Sequence, residues 1–214
     1  MHNIVDNLIS IKKEIQSNNS KAEIVAVSKT FPLSKILPLI NFGHKHYGEN
    51  KIQEAANKWT DIKKDFPNIK LHFVGKLQTN KVKFAIPLFD YIHSLDSIKL
   101  AERISNEQLK KKFKPKIFIQ VNIGKETQKN GVDVENLEKF YFDCRKTFDL
   151  NIIGLMCLPP NDNSPEAYFS KMQGLINNIN LKELSMGMTN DYLEALKYKS
   201  TFLRIGSKIF GQRT

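Results

Sequence analysis

Lys29 follows the apolar run Ile24-Val25-Ala26-Val27 after a single serine, at what reads as the carboxyl end of a buried strand. A lysine held there, between an apolar interior and a solvent-open mouth, loses hydration of its charged form. Its pKa falls, and the amine becomes a nucleophile that forms Schiff bases with carbonyl compounds, pyridoxal phosphate among them. Two later turns can receive an anion. Leu184-Ser185-Met186-Gly187-Met188 and Arg204-Ile205-Gly206-Ser207 each bring glycine, serine and backbone amides to the end of a short apolar run. Hydroxyls and amides at a helix start suit phosphate, and glycine allows close backbone approach. Arg204, just before the second turn, can face the ring nitrogen of a pyridoxal and discourage its protonation. Each feature also has a plain reading: Lys29 as one solvated lysine among 29, the turns as capped tight turns, Arg204 as half of a strand-end salt bridge. Their occurrence together weighs toward one site.

To meet, these residues need strands whose carboxyl ends share one face. Ile4, Leu8, Ile11 and Ile15, at helical spacing, predict an N-terminal helix. Strands are expected at 24–27, 45–48, 70–74, 90–95, 116–122, 151–156, 184–186 and 201–205. Helices are expected between them: from Ser34 as N-cap to Gly43, then over 49–64, 78–84, 98–112, 135–148, 164–179 and 191–198. The stretches 124–131 and 159–163 read as loops. Alternating β and α units call for a parallel sheet. Right-handed crossovers and the number of units predict a closed (β/α)8 TIM barrel with an extra N-terminal helix, as a single domain over residues 1–214. Such barrels place their chemistry at the carboxyl ends of the strands and often bind phosphate after strands 7 and 8.

Composition narrows the alternatives. The chain is 41% hydrophobic and 26% charged, an ordinary globular mix. It shows no apolar run of bilayer-spanning length and no basic-then-apolar leader, so no membrane association and a cytosolic location are expected. Cys144 and Cys157 form neither a disulfide framework nor a zinc motif, and no metal is expected. The net charge of +11 raises a nucleic-acid partner. The charge is scattered lysine, however, and its one compact run, Lys110-Lys111-Lys112, reads as the cationic end of a helix. No RNP, zinc-finger or KH signature accompanies it, so no specific nucleic-acid partner is expected.

Motifs occur in order along the whole chain: Ala26-Val27-Ser28-Lys29-Thr30, Gly48-Glu49-Asn50 with Gln53-Glu54, His72-Phe73-Val74-Gly75 with Leu77-Gln78 and Asn80-Lys81, Gln120-Val121-Asn122 with Glu126, Lys129 and Gly131, Gly154-Leu155-Met156, Leu184-Ser185-Met186-Gly187-Met188 with Asp191, and Arg204-Ile205-Gly206-Ser207 with Ile209-Phe210-Gly211. In these the chain closely resembles the pyridoxal phosphate homeostasis proteins, the YggS-like family, which are similar in fold to the N-terminal barrel of alanine racemase. The resemblance implies a barrel holding pyridoxal 5′-phosphate. By motif match, Lys29 looks like the Schiff-base lysine, Asn50 like a residue beside the cofactor, and Met156 like a further cofactor-site residue. Ser185, Gly206 and Ser207, with the amide of Met186, look like the phosphate cup, and Arg204 like the partner of the pyridine nitrogen. Ser207 stands where relatives often carry threonine, and Lys76 where proline is frequent; neither touches the chemistry.

The resemblance also implies a role: buffering or delivery of the cofactor in the cell, with pyridoxal phosphate-dependent apo-enzymes as recipients and no substantial turnover. The racemase's second base is a tyrosine on a separate β-domain, and none is expected in a sequence that stops at Thr214. A monomer is expected. The alternatives are a weak amino-acid racemase using Lys29, and a basic protein whose main partner is another macromolecule.

Overall fold

The computed structural model describes residues 3–160 and 164–212. Residues 161–163, part of the expected loop after strand 6, lie outside the described residues, as do residues 1, 2, 213 and 214 of the expected domain. Nine strands are present among the described residues: β1 (Glu23–Val27), β2 (His46–Glu49), β3 (Lys70–Phe73), β4 (Tyr91–Leu95), β5 (Lys116–Asn122), β6 (Val132–Asp133), β7 (Asn151–Cys157), β8 (Glu183–Met188) and β9 (Phe202–Ile205). Eight of them form the barrel, in the order β4-β3-β2-β1-β9-β8-β7-β5, and pairing of β4 with β5 closes it. All neighbours are parallel; Val25 lies opposite Arg204, and Gly48 opposite His72. The two-residue β6 was not expected. It lies outside the ring, on β5, with Val121 opposite Val132.

Strand residues alternate between two cores. Val25, Tyr91, Phe118, Met156 and Phe202 pack together inside the barrel. Their neighbours in sequence, such as Ile24, Ala26, Ile92, Ile117, Leu155 and Leu203, join the larger core between strands and helices. The interior is tight: a Cβ on Gly48 would stand 2.9 Å from Val25 Cγ1.

The helices are α1 (Ile4–Ser17), α2 (Leu33–Asn41), α3 (Ile52–Trp59), α4 (Ile62–Asp65), α5 (Val82–Ala85), α6 (Ile98–Lys111), α7 (Leu137–Thr147), α8 (Pro165–Asn178), α9 (Tyr192–Lys197) and α10 (Ser207–Phe210). The extra N-terminal helix, α1, buries Leu8, Ile11 and Ile15. At roughly 2 kcal/mol for each buried side chain, packing outweighs the N-cap bond from Val5 to Asn3, worth about 1 kcal/mol. Asn7 Nδ2 donates to Ile209 O at 3.0 Å, and Lys208 pairs with Glu14 at 3.0 Å, so α1 braces α10.

Three helix expectations are corrected. α2 starts one residue before Ser34, because the Pro32 carbonyl already accepts from Lys35 N at 3.0 Å; Ser34 is therefore not the N-cap. The helix expected over 49–64 is two helices: Glu49 belongs to β2, and the Thr60 hydroxyl takes the Ala56 carbonyl at 2.6 Å where α3 ends. The stretch from Gln78 is a 3-10 turn, Thr79–Lys81, followed by the single turn α5. Gly43 ends α2 as expected, with φ +89° and the His44 amide bonded to Leu39 O at 3.0 Å. Among the described residues, no helix is long and apolar enough to cross a membrane.

Candidate functional site

A cleft of about 420 Å³ opens at the carboxyl ends of the strands. Val27, Lys29, Val74, Arg204, Gly206 and Ser207 line it, together with Pro159, Pro160 and the turn Met188–Asp191. Lys29 shares the parity of Val25 and Val27 and continues the inward face of β1 one step beyond the strand.

A charged clamp behind the wall holds the lysine loop. Ser28 Oγ donates to Glu49 Oε1 at 2.8 Å, and Ser28 N to Gly48 O at 2.9 Å. Lys58 Nζ reaches Ser28 O at 3.0 Å, Glu49 at 2.9 Å and Glu54 at 3.2 Å. Thr30 N donates to Glu54 at 2.7 Å, which secures its left-handed backbone at φ +69°. Trp59 Nε1 donates to Glu49 at 3.0 Å from the helix layer. Glu49 is wholly buried, so these donors are what make its charge tolerable there. Burial by itself raises the Glu54 carboxyl; the Thr30 amide and the Lys58 ammonium overcome it and hold it below the usual range.

Arg204 forms the opposite wall and is nearly buried. Nη1 donates to Ser185 O at 2.6 Å and to Ser185 Oγ at 2.7 Å; Nη2 donates to Cys157 O at 2.8 Å. Burial depresses the guanidinium's pKa, but arginine stays cationic in any protein setting. All three acceptors are neutral oxygens, and three of the five N–H groups are spent on them. The neighbouring Cys157 thiol is pushed up to about 12, chiefly by burial, so it is not a nucleophile.

The turn after β9 brings Gly206 and Ser207 to the cleft as α10 begins. A Cβ on Gly206 would stand 3.3 Å from Val27 O, closer than side chains normally sit. Ser207 Oγ lies 3.3 Å from Thr189 Oγ1, so two hydroxyls face each other at one edge. Thr189 was not singled out in the sequence. Its signal was available: it follows Met188 at the end of the strand-7 motif, with a hydroxyl on a turn. Asp191 shapes that turn by accepting from Met188 N at 2.6 Å, and Gly187 stands at φ +88°, where a Cβ would press to 2.7 Å from that of Ala195.

The structure thus brings Lys29, Arg204, Gly206 and Ser207 together on one cleft. Asn50, Met156, Ser185 and Met186 do not line it. Met156 is packed inside the barrel and Met186 in the helix layer, both fully buried. Ser185 is also fully buried, with its hydroxyl bonded to Arg204 and to His93 Nδ1 at 2.9 Å. Asn50 stands at the rim: Gly75 must lack a side chain because a Cβ would come within 2.5 Å of Asn50 O. Asn50 Oδ1 is buried without a hydrogen-bond partner among the described residues, an acceptor waiting for a donor.

An aldehyde-bearing, phosphorylated pyridine fits the groups on the cleft: an amine, a cation, and paired hydroxyls beside a glycine turn. The alanine racemase N-terminal domain model matches residues 1–214. A pyridoxal phosphate homeostasis protein of Aquifex aeolicus is 37% identical over 201 residues, covering 90% of this chain and 87% of that one. One of Haemophilus influenzae is 34% identical, covering 99% and 95%. The solved structure of PipY from Synechococcus elongatus PCC7942 with PLP bound superposes with a TM-score of 0.88 at 30% identity, covering 98% of this chain and all of that one. The chain belongs to the alanine racemase N-terminal domain family and, within it, to the pyridoxal phosphate homeostasis proteins.

Proposed function

We propose that the cleft holds pyridoxal 5′-phosphate, with Lys29 toward the aldehyde, Arg204 toward the ring nitrogen, and Gly206, Ser207 and Thr189 toward the phosphate. The observation that carries this reading is the convergence of Lys29, Arg204 and Ser207 on one cleft of about 420 Å³, a volume suited to a small cofactor. The curated names of the relatives, and the PLP reported in the PipY structure, support it. When bound, the cofactor supplies a carbonyl for an amine to capture and a ring that draws electrons.

The chain's own residues divide the work. The clamp around Ser28 and Thr30 fixes the Lys29 backbone. Arg204 presents a charge that disfavours protonation of a ring nitrogen. The Asn50 acceptor suits a donor group at the rim. Ser185 serves from behind Arg204, Met156 packs in the barrel interior opposite Ser185 on the neighbouring strand, and the part proposed for Met186 rests on its amide, since its side chain faces the helices.

The protein binds and releases the cofactor, with pyridoxal phosphate-dependent apo-enzymes as recipients, and has no substantial turnover. Racemisation needs an acid–base group on each face of the substrate. Among the described residues lining the cleft, the ionisable ones are Lys29, Asp191 and Arg204, and Asp191 is engaged by the Met188 amide. The test is the visible spectrum of protein mixed with pyridoxal phosphate, then borohydride reduction and peptide mapping. The expected result is a visible band that Lys29→Ala abolishes and a reduced adduct on Lys29. A full band in that variant, or an adduct elsewhere, refutes the reading.

A further inference from the structure

Behind Arg204 a file of hydrogen bonds runs down the barrel interior. Ser185 Oγ lies 2.7 Å from Arg204 Nη1 and 2.9 Å from His93 Nδ1. His93 Nε2 lies 2.9 Å from His72 Nδ1, and His72 Nε2 lies 2.8 Å from His46 Nδ1. The three rings come from the adjacent strands β4, β3 and β2, so each step is one strand around the barrel. Ser185, His93 and His72 are fully buried. His46 is half-buried at the amino-terminal end, where Glu23, Asp90, Lys70 and Lys116 act on it. Aromatic rings insulate the file: Tyr91 stacks on His72 at 4.1 Å and Phe118 on His93 at 4.4 Å.

Counting protons gives the file one direction. A guanidinium can only donate, so Arg204 occupies a lone pair of Ser185 Oγ. Among the described residues, the hydroxyl's other partner is His93 Nδ1. Were Nδ1 protonated, two donors would converge on Ser185 and its own proton would be buried without an acceptor, a costly arrangement. Ser185 therefore donates to His93 Nδ1. A neutral His93 then carries its proton on Nε2 and donates to His72 Nδ1, and His72 donates from Nε2 to His46 Nδ1. A cationic His93 would turn its Nδ1–H on the Ser185 hydroxyl, the arrangement just excluded, and a cationic His72 would set its Nδ1–H against the Nε2–H of His93. Burial, reinforced at His93 by the nearby Arg204 charge, also holds both rings neutral.

We propose that His93, with His72 and His46 behind it, is a positioning residue for Arg204: a file of neutral, Nε2-protonated histidines keeps the Ser185 oxygen turned as an acceptor and holds the guanidinium in the cleft wall without setting an anion against it. That the charge serves the cofactor's ring nitrogen rests on the reading above. A carboxylate in the place of Ser185 would hold the arginine equally well but would cancel its field. A neutral file holds it and leaves the field intact, and none of the three rings touches the cleft.

The experiment has a cofactor-free arm and a ligand arm. In the first, histidine-15N-labelled protein without cofactor is examined near neutral pH by long-range 1H–15N correlation, which reads the tautomer of each ring. All three rings should be neutral and protonated on Nε2; His93 protonated on Nδ1, or cationic, overturns the proposal. Ser185→Ala removes the donor that sets the direction, so His93 and His72 should then mix tautomers. An unchanged pattern in that variant shows that Arg204 and Ser185 do not set it. In the second arm, pyridoxal phosphate is compared with its analogue carrying C–H in place of the ring nitrogen. Wild type should prefer the nitrogen-bearing ring about tenfold or more, and His93→Phe should lose most of that preference. Should that variant not fold, Ser185→Ala gives the same comparison. Full preference retained in the folded variant overturns the positioning role. No preference in wild type overturns the Arg204 reading instead, and the tautomer pattern then stands or falls separately.

Discussion

The two cations of the cleft are held in opposite ways. The loop carrying Lys29 is gripped from outside the wall by Glu49, Lys58 and Glu54, a network of full charges. Arg204 is gripped from inside by two carbonyls and a hydroxyl, all neutral. The difference suits the roles proposed for the two groups. A nucleophilic amine must lose its proton, so negative charge is kept behind the backbone and spent on positioning the loop. An electrostatic partner must keep its charge; none of its hydrogen-bond acceptors is an anion, and the Asp191 carboxylate acts on it only through space. A buried, unpaired guanidinium costs several kcal/mol, and a ligand atom that accepts from it recovers part of that.

Acid should break the Arg204 side first and most severely. Burial depresses His72 and His93 well below the ordinary histidine value, and His44 to about 3. As pH falls through about 6.5, the unfolded chain takes up protons that the folded chain refuses, so stability is full above that value and lost below it. While a ring stays neutral in the fold it removes about 1.4 kcal/mol per pH unit below that value. Urea unfolding at pH 7.5 and pH 5 measures it; a flat profile would mean the rings take up protons as readily in the fold as in the unfolded chain.

Glu49→Ala attacks the other side. It takes from Lys58 the more buried of its two carboxylates, strands the Trp59 N–H, and should cost about 3 kcal/mol of folding stability by urea unfolding. A loss under 1 kcal/mol would show the clamp to be dispensable.

Arg204→Met sharpens the contrast. Replacing a buried charge by an apolar side chain of similar length should leave folding within about 2 kcal/mol of wild type, since the desolvation cost goes with the charge. Cofactor affinity should nevertheless fall about tenfold or more, read by titrating the visible band. Unchanged affinity would place the ring nitrogen elsewhere. The smallest effect belongs to the rim. Thr189→Ala with Ser207→Ala should weaken pyridoxal phosphate by about tenfold, leaving pyridoxal itself unaffected. Equal losses for both ligands would separate these hydroxyls from the phosphate.

Much of this was legible in the chain. Period-two and period-3.6 patterns located the barrel strands, and the strand-end rule placed Lys29, Arg204, Gly206 and Ser207 on one rim. What failed to show depends on neighbours remote in sequence. Ser185 reads as part of a strand-end turn like Ser207, yet it lies within β8 with its side chain toward the barrel axis, where Arg204 and His93 claim it. His72 and His93 read as ordinary strand residues until β2, β3, β4 and β8 are laid side by side. The split at Thr60 turns on one hydroxyl choosing a carbonyl, which no helical periodicity records.

The strand carrying Arg204 also closes the ring, between β1 and β8. While the chain is still on the ribosome and β9 is not yet made, β1 and β8 present unpaired edges, and the cleft lacks a wall. Cofactor capture must therefore wait until β9 has emerged and paired. The interval before β9 emerges is when the chain most needs shielding from edge-to-edge association.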